Sequence, residues 1–116
     1  MCANKTIQEL AGSSLAEIRF VMDYLQLGFS GMILNIYSDL RVHSSGGMLR
    51  IPDTGARDAL CAFIGHQLTA VEVVEDVRLL LHFENGSIEI PLDLASRKFG
   101  DAAEFLPGNH EPSIVF

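Results

Sequence analysis

Slid against itself, the chain matches at an offset of 53 to 54 residues. Gly12, Leu15, Ile18 and Phe20 fall on Gly65, Leu68, Val71 and Val73 at 53, and Leu25, Leu27, Phe29, Leu34 and Ile36 fall on Leu79, Leu81, Phe83, Ile88 and Ile90 at 54. The change of offset lies near Met22 and Asp23 against Glu75 and Asp76, where a hairpin loop would absorb it. The segments before the match also correspond, IQELAG at 7–12 and LCAFIG at 60–65, each ending in a Gly suited to a helix C-terminus. A chain of 116 residues has room for one modest core. Two copies of a helix plus three-strand unit must therefore share it.

The local pattern says what the copies are made of. Val77, Leu79, Leu81 and Phe83 alternate with Arg78, Leu80, His82 and Glu84, the period-two signature of a strand with an apolar inner face. Asn85 followed by Gly86 predicts a type I′ two-residue turn. That turn would set Phe83 opposite Ile88, Leu81 opposite Ile90 and Leu79 opposite Leu92 inside, with His82 opposite Glu89 and Arg78 opposite Asp93 outside. In the first copy strands are predicted over 15–22, 24–30 and 33–42. Their second turn falls on Gly31 and Met32, with Ser30 and Gly31 as the competing choice.

Between the copies, residues 43–55 (HSSGGMLRIPDTG) have no match; a turn at 44–47 and a short return strand at 48–51 are expected. A helix over about 54–64, capped by Asp53 or Thr54, presents Ala56, Ala59, Leu60, Phe63 and Ile64 as its apolar stripe and turns Arg57, Asp58 and Ala62 outward. Thr6 is placed to cap a short turn before Gly12. Residues 101–106 read as a helical turn stopped by Pro107 and Gly108, and 113–116 as an edge strand. The fold expected is α+β and β-rich: two pseudo-symmetric three-stranded antiparallel meanders, about six strands, with one main helix at about 54–64. The whole of 1–116 forms a single domain, built from a duplication of about 6–42 and 56–95. Sheet, sandwich and barrel all remain open.

The formal charge is −7, divided as −1 over residues 1–58 and −6 over 59–116. An acidic second half repels phosphate backbones, which argues against nucleic acid; the acidity reads first as solubility and, more sharply, as attraction to a basic partner protein. Apolar residues make up 48% of the chain, more than so small a domain easily hides. Val74 and Leu80 lie on the face opposite an already apolar row, so a homodimer with these two residues in its interface is expected. Cys2 and Cys61 form no disulfide framework and no CxxC. The N-terminal residues contain no apolar run, and no stretch is long enough to span a membrane, so the expectation is a cytoplasmic protein without a membrane partner.

Chemistry-bearing motifs are sparse. His43, His66, His82 and His110 have no metal-ligand spacing, and no metal or cofactor is expected. The glycine-rich 43–55 lacks the Lys and Ser/Thr of a phosphate loop. Carboxylates crowd the second copy but alternate with Arg78 and His82, as on a solvated strand, and no serine or cysteine has a nucleophile motif around it. No catalytic residue is assigned. The candidates for ligand binding are the outer-face pair His82 and Glu89, with Glu72 nearby, and the aromatics Tyr24 and Tyr37, which with Phe20 would border a cleft between the repeats.

EIRFVMDYLQLGF, RDALCAFIG and LLLHFENGSIEIPL resemble segments of small bacterial proteins of uncharacterised function, over most of the chain. The resemblance implies no activity and no site residue. The element made of an apolar strand, Phe83, an acidic residue, Asn85, Gly86 and a second strand is also similar to one found in small immunity proteins that neutralise toxins. A protein-interaction module, immunity-like or adaptor-like, therefore ranks first, a small-ligand binder second and an enzyme last.

Overall fold

The structure is a computed structural model that describes residues 7–22, 24–45, 47–51, 53–93, 95, 100–108 and 112–116. The first half contains a 3-10 turn at Gln8–Leu10 and five strands: β1 (Leu15–Val21), β2 (Tyr24–Phe29), β3 (Met32–Ile36), β4 (Arg41–Ser44) and β5 (Gly47–Arg50). The second contains a helix, α1 (Ala56–Cys61), and again five strands: β6 (Leu68–Val74), β7 (Arg78–Phe83), β8 (Gly86–Pro91), β9 (Ala103–Leu106) and β10 (Ile114–Val115). They form two antiparallel five-stranded sheets, ordered β1-β2-β3-β9-β10 and β5-β4-β8-β7-β6.

This corrects the expectation of about six strands in two three-stranded meanders. Each run of three consecutive strands is widened to five by a hairpin donated from the other half of the chain: β4-β5 joins β8, and β9-β10 joins β3. The strand predicted over 33–42 stops at Ile36 and resumes at Arg41 in the opposite sheet. Residues 101–106, predicted as a helical turn, supply β9. Ala103 and Phe105 enter the core while Glu104 and Leu106 are half-buried. The free edge of β3 accounts for this: pairing it satisfies a row of backbone groups that a helical turn would leave open, and tertiary context overrides local propensity.

The hairpin register also differs. Phe83 pairs with Gly86, Leu81 with Ile88 and Leu79 with Ile90, so Glu84 and Asn85 form the turn and the pairing lies two positions from the expected one. A shift of two keeps inner residues facing inner residues. Among the described residues Asp76 alone of the non-glycines has positive φ, so Asn85 does not adopt the type I′ conformation. In the first half the turn is Ser30 with Gly31, since Phe29 pairs with Met32. Val21 pairs with Tyr24 across a two-residue loop and Val74 with Arg78 across a three-residue loop, which is where the sequence offset changes.

The halves meet in a small set of exchange-related hydrogen bonds. Gly12 N–H donates to Leu68 O at 2.7 Å and Gly65 N–H to Leu15 O at 2.8 Å; Leu68 N–H donates to Ser13 O at 2.8 Å and Leu15 N–H to His66 O at 3.1 Å. Swapping residues 53 apart converts each bond of a pair into the other. The bridge between Ser14 and Gln67 lies at the centre and maps onto itself.

Both inner faces feed one buried cluster, with Leu27, Leu34 and Phe105 from the first sheet and Leu81, Ile88 and Val42 from the second. Leu60 and Phe63 are buried there as well, and the Phe63 ring lies 4.8 Å from that of Phe83. The helix is shorter than the predicted 54–64. Its N-terminal flank is Gly55 in the left-handed region, without a side-chain cap, while the Asp53 carboxylate accepts from Arg50 N–H instead. Ile64, expected in the buried stripe, falls beyond the helix and is exposed. The cap predicted at Thr6 lies outside the described residues.

Candidate functional site: an apolar recess beside the first hairpin

At one end of the first sheet the surface opens into a recess of about 330 Å³. One wall is the β1-β2 hairpin, through Phe20, Val21, Met22, Tyr24 and Leu25. Ile36, Ser38, Asp39 and Leu40 contribute from the crossover between β3 and β4, and Ile51 and Arg57 close the far side.

In the second half Leu92 follows β8, is buried, and donates its N–H to Val77 O at 2.9 Å. The residue 54 positions earlier is Ser38, which lines the recess. Its hydroxyl donates to Pro91 O at 2.9 Å. Phe20 stands where the second half has Val73. The Arg57 guanidinium lies 5.6 Å from the centre of the Phe20 ring, a cation-π contact between β1 and α1.

The mouth is apolar and wet. Phe20 is 43%, Val21 42% and Met22 94% exposed, three consecutive large apolar residues at the free end of an edge strand. Isolated exposed apolar residues are ordinary, whereas here three in a row flank a recess.

Tyr24 lines the recess, and Tyr37 packs on it from the outer face with ring centres 5.5 Å apart and planes inclined at 51°. The Tyr37 hydroxyl donates to Glu104 Oε1 at 3.2 Å. Burial raises the Tyr37 pKa above the ordinary tyrosine value, and the Glu104 carboxylate adds to the shift. Gln26 Nε2 donates to Asn35 Oδ1 at 2.8 Å in the row beside this pair.

His82 and Glu89 lie on the outer face of the other sheet and do not meet each other. The shifted register places Glu89 opposite Leu80 and Arg41, and His82 opposite Ser87 and Ala70. His82 Nε2 instead lies 3.3 Å from Glu72 Oε1. The Glu89 side chain, 12% exposed, gathers His43 Nε2 at 2.8 Å, Arg41 Nη1 at 3.6 Å and Arg78 Nη1 at 3.8 Å. Three cationic or protonatable groups around one carboxylate join β4 of the first half to β7 and β8 of the second. That arrangement ties the donated strand to the sheet. Leu80 and Val74 are half-buried, with Leu80 between Glu72 and Glu89. Among the described residues no group of three or more His, Cys, Asp and Glu is placed to hold a metal ion, and no helix is long and apolar enough to cross a membrane.

Of the aromatics expected to border a cleft between the repeats, Phe20 and Tyr24 line this recess and Tyr37 does not; Ser38, Asp39, Leu40, Ile51 and Arg57, which also line it, were not among the candidates. Comparison with known protein families, with curated proteins and with solved structures finds no match to this chain.

Proposed function

We propose that this chain is a non-enzymatic protein-interaction module of the cytoplasm, immunity-like or adaptor-like, that engages its partner through the recess and the apolar hairpin beside it. We also read the two halves as copies of one ancestral unit. The observation that carries the proposal is the run Phe20, Val21 and Met22, exposed at the mouth of a cavity that already has a defined wall. A net charge of −7 adds long-range attraction to a basic partner. The test is a photo-activated cross-linking residue at position 22, with position 69 on the opposite edge as control. A discrete adduct with a polypeptide at position 22 alone is expected; equal labelling at both positions would remove the proposal.

A second reading has its own support. A volume of about 330 Å³ with an apolar wall, one cation at Arg57 and one anion at Asp39 falls at the lower end of small-ligand sites. Native mass spectrometry of the purified protein separates the two, because a retained small molecule appears as a fixed mass increment that Ser38→Leu abolishes.

A further inference from the structure

We propose that the edge of β1 takes up an extended polypeptide segment as an additional strand of the first sheet, with alternate side chains of that segment turned toward the recess. The inference rests on the reading of the recess as an interaction site and names the kind of segment that binds there. In an antiparallel ladder every second residue bonds to the neighbouring strand and the residues between point their N–H and C=O the other way. Val21 and Tyr24 close the two-residue loop, so Val21 and Arg19 bond to β2, while the N–H and C=O of Ile18 and Phe20 face away from it. β1 is the outermost strand of its sheet, and among the described residues nothing bonds to these outward groups.

The other three sheet edges are guarded or very short. On β6, Gln8 Nε2 donates to Val71 O at 2.7 Å and the 3-10 turn packs along the strand. On β5, the Asp53 carboxylate accepts from Arg50 N–H at 2.8 Å, and Asp53 N–H donates to Arg50 O at 2.8 Å. β10 has two residues. The repeat shows why β1 differs from β6. Ile18 corresponds to Val71, and the counterpart of Gln8 is Cys61, which is exposed and has no side-chain amide to donate. The helix that carries it packs chiefly against β4. An open edge also says what covers it: N–H and C=O groups alternating along a line are matched by the backbone of another extended chain. A strand added there turns every second side chain to the inner face, beside Phe20 and the recess, and the others to the outer face, beside the ion pair of Glu17 with Arg19. The segment that fits is therefore extended, apolar at alternate positions and polar between them.

Amide hydrogen exchange by NMR on the whole chain tests this, with a heptapeptide of alternating valine and threonine, closed by a lysine at each end, as the probe. In the free protein the amides of Ile18 and Phe20 should exchange fast and those of Arg19 and Val21 slowly. With the peptide at about ten times its dissociation constant, exchange at Ile18 and Phe20 should slow about 10-fold, because it is then confined to the free fraction. The same peptide methylated at every backbone nitrogen should have no effect. Ile18→Pro removes an outward N–H and no ladder bond, so it should raise the peptide's dissociation constant at least about 10-fold where Ile18→Val does not. Slow exchange at Ile18 and Phe20 in the free protein overturns the inference. So does a peptide that leaves both amides unchanged at millimolar concentration, or one that slows Val73 on the edge of β6 as much. An adduct with a polypeptide from position 22, alongside unchanged exchange at Ile18 and Phe20, removes strand addition and keeps the interaction reading; with no such adduct that reading falls as well.

Discussion

A side chain at Gly86 would collide with the carbonyl oxygen of His43 and press on the Phe63 ring. The strand β4, donated by the other half, passes so close that only glycine fits, and its φ of 150° is one that side chains rarely adopt. Gly86→Ala should therefore cost roughly 1 to 3 kcal/mol in urea denaturation. Gly31→Ala meets open space at φ 76° and should lose only the cost of the left-handed region, about 1 to 2 kcal/mol. The dipeptide of Asn85 and Gly86 reads as a turn in the sequence, and a hairpin does form there, but the glycine answers to a neighbour 43 positions upstream that no local pattern announces. Tyr37 offers a second test at this scale. Its folded-state pKa is raised, by burial first and by Glu104 next. The folded chain thus holds this proton more tightly than the unfolded chain. The resulting stability is complete below about pH 10 and is lost as the pH rises from there through the folded-state value. Thermal melts should fall more steeply above pH 10 for the wild type than for Tyr37→Phe.

At the scale of elements, the inner rows of β2, β7 and β8 were readable because period two is a direct image of the pleat. Leu25, Leu27 and Phe29 are buried, as are Leu79, Leu81 and Phe83. The ends were not readable. Val77, read as the head of an inner row, lies in the β6-β7 turn and is exposed, because that loop is one residue longer than its counterpart. Residues 101–106 have the composition of a helical turn and become a strand because β3 has an edge to cover. The turn that follows α1 is anchored by one side chain and not by its neighbour. Phe63→Ala should cost about 3 to 5 kcal/mol, since the ring is buried against Phe83, whereas Ile64→Ser should be nearly neutral. Chemical denaturation of both variants checks the orientation of this turn.

For the whole molecule, the internal match led to the expectation of two units sharing a core, and it did not say that each half would lend the other a hairpin. Exchange of that kind leaves no local trace, since β4 and β9 are short, and their partners β8 and β3 are distant in sequence. The lining of the recess divides in the same way: Phe20 and Tyr24 belong to a hairpin visible in the sequence, while Ser38 and Arg57 arrive through the crossover and the helix. A direct test is to express residues 1–54 and 55–116 separately. Each lacks two strands of its own sheet, so each should show the narrow amide dispersion of an unfolded chain, and a mixture of the two should recover the dispersion of the intact protein.

The exchange of hairpins also bears on how such a chain can vary. A free half would be complete only when matched with another half, so its assembly would depend on concentration and each substitution would appear on both sides of the contact. Joining the halves in one polypeptide replaces that encounter with a tethered one at an effective concentration of about millimolar or more. It also uncouples the two positions, so that Leu92 in one half can have Ser38 as its counterpart in the other. Asymmetry of that sort is unavailable to two identical chains.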